Sequence, residues 1–262
     1  MIRLLTEQDH ANVMEFLSEE PALNLFIIGD IENFGYETSF QQLWGEWIGD
    51  ELNAVLLRYN ENFLPYSRGK FNVHGFAEIM KKHEQFQILS GKEEIVNQFE
   101  GLLPVGKKRS MYFAELVDNK SLENDMDRSE IQVADENDVD KILSLRTSIE
   151  EFSDSVSSRE GLIQAIRSGS GRTYFMTEDD KAIASVSTTA ENSLSAMVIG
   201  VCTAASHRNR GLASKCLSML CHDLLEEEKS LCLFYDNPAA GSIYKRLGFH
   251  EIGRWTMWHK AV

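Results

Sequence analysis

The chain has 262 residues, 43% of them hydrophobic, and a formal net charge of −15 from 26 basic and 41 acidic residues. That length supplies one large core or two of about 130 residues each, and the acidic balance argues against nucleic acid as a partner. No run of about 18 apolar residues is present, so no membrane span is expected. The opening MIRLLTEQDH lacks the charged-then-apolar layout of a secretory signal. Cys202, Cys216, Cys221 and Cys232 have no C-x-x-C spacing, and the seven histidines form no metal pattern. Buried reduced thiols, no metal and a cytoplasmic location are the expectation.

In chain order, residues 2–9 (IRLLTEQD) combine a short strand, a cap at Thr6 and an acid three later at Asp9. A helical pattern follows in Val13, Met14, Phe16 and Leu17. Residues 72–77 (NVHGFA) place a glycine and an alanine before a helix-like 78–83; 86–89 reads as a strand and 93–103 as a helix. Residues 118–130 (DNKSLENDMDRSE) are polar and read as a linker. Residues 131–138 (IQVADEND) then repeat the opening, with Asp135 as cap, Asp138 three later and Ile142, Leu143 and Leu145 beyond. The chain is therefore expected to be duplicated. Residues 150–172, with Phe152, Ser157, Ser158 and Arg159, are serine-rich and read as a lid or a plain connection. Strands are expected at 172–177, 182–190 and 195–203, turning at Glu178-Asp179-Asp180 and Glu191-Asn192-Ser193.

The sharpest signal lies at 201–214 (VCTAASHRNRGLAS). An apolar strand runs into a basic turn, and a glycine and an alanine open a helix over 211–226. Small residues let the backbone approach a ligand, and the N–H groups of a first helical turn lack intrahelical partners and favour an anion. Arg208 and Arg210 add positive charge there. A second strand, 231–235 (LCLFY), precedes a helix capped by Asp236 or Asn237, with Pro238 in its first turn, Tyr244 inside it and Gly248 at its end.

Arg208-x-x-Gly211-x-Ala213, followed by strand and N-P-A-A-x-x-x-Y-x-x-L-G-F at 237–249, resembles the cofactor half of the GNAT superfamily of acyl-CoA-dependent N-acyltransferases. The resemblance implies an α/β (α+β) fold of two tandem domains, each a mixed, largely antiparallel sheet flanked by helices. A degenerate N-terminal domain would span 1–117, a linker 118–128 and the catalytic domain 129–262. By that resemblance, backbone groups of Asn209, Arg210, Gly211, Leu212, Ala213 and Ser214, with Arg208, hold the pyrophosphate of acetyl-CoA. Val201, Cys202 and Thr203 line its pantetheine arm, Asn237 touches the arm, and the Val201 N–H polarises the thioester carbonyl. Tyr244 is implied as general acid, and its alternative reading is a core aromatic. No carboxylate lies on 195–200, which leaves Glu191, His207, Asp154 or a water as base.

The implied activity is acetyl transfer from acetyl-CoA to a primary amine of a small-molecule or amino-acid-like acceptor, by direct attack on the thioester. The alternative is a non-catalytic acyl-CoA-binding or sensing protein. The first half has Asn72 where the cradle's Arg/Gln belongs, and Gln98 and Phe99 near the tyrosine's place. It is expected to complete a cleft or support a homodimer rather than bind CoA.

Overall fold

The structure, a computed structural model, describes residues 1–122, 127–152 and 158–261. Ser157, Asp154 and part of the 118–128 linker lie outside them. By compactness the chain divides into two units that are not contiguous in sequence. One comprises Met1–Phe113, Phe234–Asp236 and Glu251–Val262; the other comprises Ala114–Leu233 and Asn237–His250.

In the first unit, β1 (Ile2–Leu4) precedes α1 (His10–Ser18) and α2 (Leu25–Phe34). Then come β2 (Gln41–Ile48), β3 (Glu51–Tyr59), β4 (Asn62–Ser67), α3 (Val73–Lys81), β5 (Ile88–Lys92), the short α4 (Glu93–Val96) and β6 (Val105–Leu116). The turn before α1 closes as expected: Thr6 and Asp9 form a capping box, and Arg3 pairs with Asp9 at 2.6 Å. The helix expected over 93–103 stops early and continues as a 3-10 turn at Asn97–Phe99. Strands β1 to β4 pair antiparallel, and β4 pairs parallel with β5 at Asn62↔Ile88 and Phe63↔Leu89. The unit's last partner comes from the far end of the chain. In β12 (His250–Lys260), residues Trp255 to His259 pair antiparallel with Lys92 to Ile88 of β5. Trp258 joins Trp44, Leu56, Phe63, Phe76 and Phe99 in the core.

The second unit holds β7 (Gln132–Val133), α5 (Val139–Thr147), α6 (Arg159–Ser168), β8 (Thr173–Glu178), β9 (Lys181–Thr189), β10 (Ser195–Thr203), α7 (Leu212–Glu226), most of β11 (Ser230–Tyr235) and α8 (Pro238–Arg246). Strands β7 to β10 pair antiparallel, and β10 pairs parallel with β11. Asp135 and Asp138 form a capping box that matches the one at Thr6 and Asp9. The serine-rich 150–172 contains a ten-residue helix, α6. Ser158 caps it by accepting from Gly161 N, Gly169 ends it in the left-handed region, and Leu162, Ile163 and Ile166 give it an apolar face. That face meets Ile142, Leu145 and Phe175. Helix α7 packs against β8, β9 and β10.

Candidate active site

Strand β10 is regular up to its middle. It pairs with β11 from Ser195↔Ser230 to Met197↔Cys232 and no further, so 198–203 leave one edge outside that ladder. On the other side its register against β9 slips between Ile199↔Ser187 and Cys202↔Ser185. Gly200 lies in the slip with φ +63°, a conformation that glycine adopts without strain. Gly200, Val201 and Thr203 are half-buried at the opened stretch, and Cys202 is buried, its sulfur 3.4 Å from Ser185 Oγ.

Beyond β10 the chain turns through a 3-10 segment at Ala205–His207 and reaches α7. Asn209 (φ +64°) and Gly211 (φ +75°) are both left-handed, and Gly211 is the N-cap of α7. Among the described residues, a Cβ at Gly211 would meet no atom within 4 Å, so the space beside the N-cap is unfilled there. The N–H groups of Leu212, Ala213 and Ser214 belong to its first turn and have no partner within the helix. Leu212, Cys216, Leu217, Leu220 and Leu224 fix its buried face. Arg208 and Arg210 are exposed. Arg210 lines a cleft of about 480 Å3 with Gln132, Thr177, Glu178 and Lys215.

Helix α8 begins as the sequence implies. Asn237 Oδ1 accepts from Ala239 N at 2.9 Å, and Pro238 follows in the first turn. Tyr244 lies one turn from the helix end with its ring edge-on to Phe249, centroids 6.0 Å apart. Burial pushes its hydroxyl up to about 12, so it stays protonated through the neutral range.

The candidate bases fare differently. Glu191 is buried at the β9–β10 turn, where Arg172 grips it with two bonds of 3.0 and 2.8 Å and Thr188 Oγ1 donates to it. It braces a hairpin end, nine residues ahead of Gly200 in the bulge. His207 Nε2 is 2.7 Å from Glu178 Oε2, and Ser206 Oγ is 2.8 Å from its other ring nitrogen. Asp154 lies outside the described residues.

Two residues of the site region escape the sequence reading. Gly200 breaks an apolar strand run, which is a bulge signal. Arg146 continues the Val139, Ile142 stripe of α5 at i+4, where a charge is out of place. Its side chain is buried against Gly200.

These strands and helices form the α/β fold that the resemblance implies. A sequence profile of the GNAT acetyltransferase family matches residues 69–258, and the chain belongs to that family. No curated protein matches it by sequence. Among solved structures, a Drosophila protein shares 12% identity at a TM-score of 0.71, over 99% of this chain and 98% of its own. A GCN5-related N-acetyltransferase from Sphaerobacter thermophilus shares 13% at 0.66, over 99% and 95%. A tandem GNAT protein from the clavulanic acid biosynthesis pathway shares 12% at 0.61, over 100% and 99%. The likeness runs the full length of each, so the tandem GNAT fold accounts for the whole chain.

Proposed function

We propose that the second half transfers an acetyl group from acetyl-CoA to a primary amine of a small, amino-acid-like acceptor. The observation that carries this reading is the opened stretch of β10 at Gly200 and Val201, placed ahead of the unfilled space beside the N-cap of α7. Acetyl-CoA supplies the activated acyl group as a thioester. The chain's own groups have separate tasks. N–H groups at 209–214 with Arg208 hold the pyrophosphate, since a helix start favours an anion. The free edge at Val201 and Thr203 pairs with the amides of the pantetheine arm, as an added strand would. Cys202 contributes backbone only, because its thiol is buried beside Ser185. Val201 N–H donates to the carbonyl oxygen as charge develops there. A C–N bond forms as the C–S bond breaks. The amine's proton leaves through water, and the departing sulfur meets the hydroxyl of Tyr244. Asn237 spends its carbonyl oxygen on the helix cap, leaving its amide N–H groups for the arm.

Isothermal titration of acetyl-CoA and free CoA into the wild type and a Gly211→Trp variant tests the site. Saturable binding that the variant loses, with release of CoA when amines are added, is the expected result. Absence of binding removes the reading. Binding without turnover over a broad amine panel leaves the sensing function, which the lack of a carboxylate on 195–200 favours.

A further inference from the structure

Arg146 is 3% exposed and spends one of its donors on a neutral group: Nη2 donates to Ser187 Oγ at 2.5 Å. Its Nε is buried with no hydrogen-bond partner, and among the described residues no carboxylate pairs with it. Arginine carries five N–H donors and is not deprotonated in proteins. An uncompensated buried cation of this kind carries a large desolvation penalty. The C-terminal end of α5, where Arg146 sits, offsets only a small part of that. Cys202, facing it from β10, cannot act as its counter-ion, because burial holds the thiol in its neutral form.

The surroundings point the same way. Ser185, Ser187 and Thr173, all at most 2% exposed, line the sheet face beneath α5, where an apolar core calls for valine or leucine. Thr173 Oγ1 and Ser187 Oγ are hydrogen-bonded to each other, so the hydroxyls form a chain that ends on the guanidinium. The guanidinium in turn rests on the bulge. A Cβ on Gly200 would come within 2.8 Å of Nη2 and 3.0 Å of Cζ. The next residue is Val201, whose N–H faces the acyl carbonyl in the reading above. The phosphates belong eight and more residues further on, at 209–214, and a pantetheine arm is neutral. The anion that this cation awaits therefore belongs to the acceptor.

We propose that Arg146 is a specificity residue that binds a carboxylate of the acceptor, so that the amine transferred to belongs to an amino acid. The inference rests on the acyltransfer reading of the same site. Discrimination would be steep, because an acceptor lacking the carboxylate leaves the buried guanidinium unpaired.

The test compares amino acids with their decarboxylated partners (lysine with cadaverine, histidine with histamine, tyrosine with tyramine) by CoA release from wild-type protein, which needs no variant. A higher kcat/KM for some amino acid than for its partner is expected. The Arg146→Met variant, which keeps apolar volume, should then raise the KM of that amino acid about 30-fold or more while kcat falls far less. It should also narrow the preference over the decarboxylated partner. Equal loss on both members of a pair, with weakened acetyl-CoA binding, would assign Arg146 a structural role and overturn the proposal. Turnover of decarboxylated amines in preference to amino acids would overturn it while leaving the acyltransferase reading intact. If acetyl-CoA binds and nothing is acetylated, titration of the same amino acids into the CoA complex decides. Saturable binding weakened by Arg146→Met supports the carboxylate site, and no binding sinks it.

Discussion

At the scale of single residues, Tyr244 shows how burial limits a chemical role. A thiol titrates near 8.5 and Tyr244 is pushed up to about 12, so complete proton transfer to the sulfur is uphill by roughly 5 kcal/mol. In the proposed mechanism the hydroxyl would therefore serve the departing sulfur first as a hydrogen-bond donor. A charge-assisted bond of this kind is worth about 1.5–3 kcal/mol. Tyr244→Phe is expected to lower kcat about 10- to 100-fold with acetyl-CoA affinity nearly unchanged. The wild-type rate should show no limb from this group below pH 10. A limb falling between pH 9 and 10.5 that vanishes in the variant would contradict the raised value. Asp30 on α2 carries the opposite lesson. Burial pushes its carboxyl up to about 7, against about 3.9 in an unfolded chain. The folded state thus keeps a proton that the unfolded state has lost between those values, and stability must fall as pH rises through that window. Replacing Asp30 with Asn should flatten thermal stability between pH 4.5 and 7 and raise the melting temperature at pH 8. An unchanged slope would remove the effect.

At the scale of elements, α3 and α7 begin differently. Among the described residues, the space beside Gly211 is unfilled, whereas a Cβ on Gly75 of α3 would come within 2.4 Å of Ile2 Cδ1. The start of α3 is filled by the chain's own groups. Asn72 Oδ1 accepts from Gly75 N at 2.9 Å, and both carboxylate oxygens of the buried Glu46 accept from Asn72 N at 3.2 and 3.1 Å. A resident carboxylate repels a phosphate where a helix start would otherwise attract one. The preceding strand differs too: β4 pairs with β3 without a register break, and its Pro65 has no N–H to offer. One acetyl-CoA per chain is therefore expected by calorimetry, and two binding events would show that the first half keeps a site. The sequence foreshadowed much of this contrast. The motifs at 208–213 and 237–249 consist of residue types that caps and tight turns require, and the strand over 195–203 is found at those bounds. The slip at Gly200 is a backbone irregularity that depends on β9, and the plug at α3 depends on Glu46, which stands 26 residues before Asn72. The glycine is a local hint of the first, but its register, like the plug at α3, is fixed only by tertiary pairing.

At the scale of the whole molecule, the duplication seen in matching capping boxes does not translate into two contiguous blocks. Nothing in the sequence of 250–260 says which core receives this strand. Compactness assigns Glu251 onward to the first unit. There β12 pairs with β5, Trp258 stacks into the core, and Trp255 packs on Phe26 and Phe113. Pairing between segments so far apart in sequence raises the contact order, which slows folding. Trp258 is 6% exposed, and truncating a buried tryptophan costs about 3–5 kcal/mol through lost transfer energy and the cavity left behind. Trp258→Ala should therefore weaken the first unit, although position 258 follows the acetyl-CoA motifs in sequence. Hydrogen exchange provides the measurement: amides of β2 and β3 should lose protection in the variant, while those of α7 keep theirs. Loss confined to α7 and β10 would assign the strand's stabilising role to the second unit and contradict the exchange of strands between the halves.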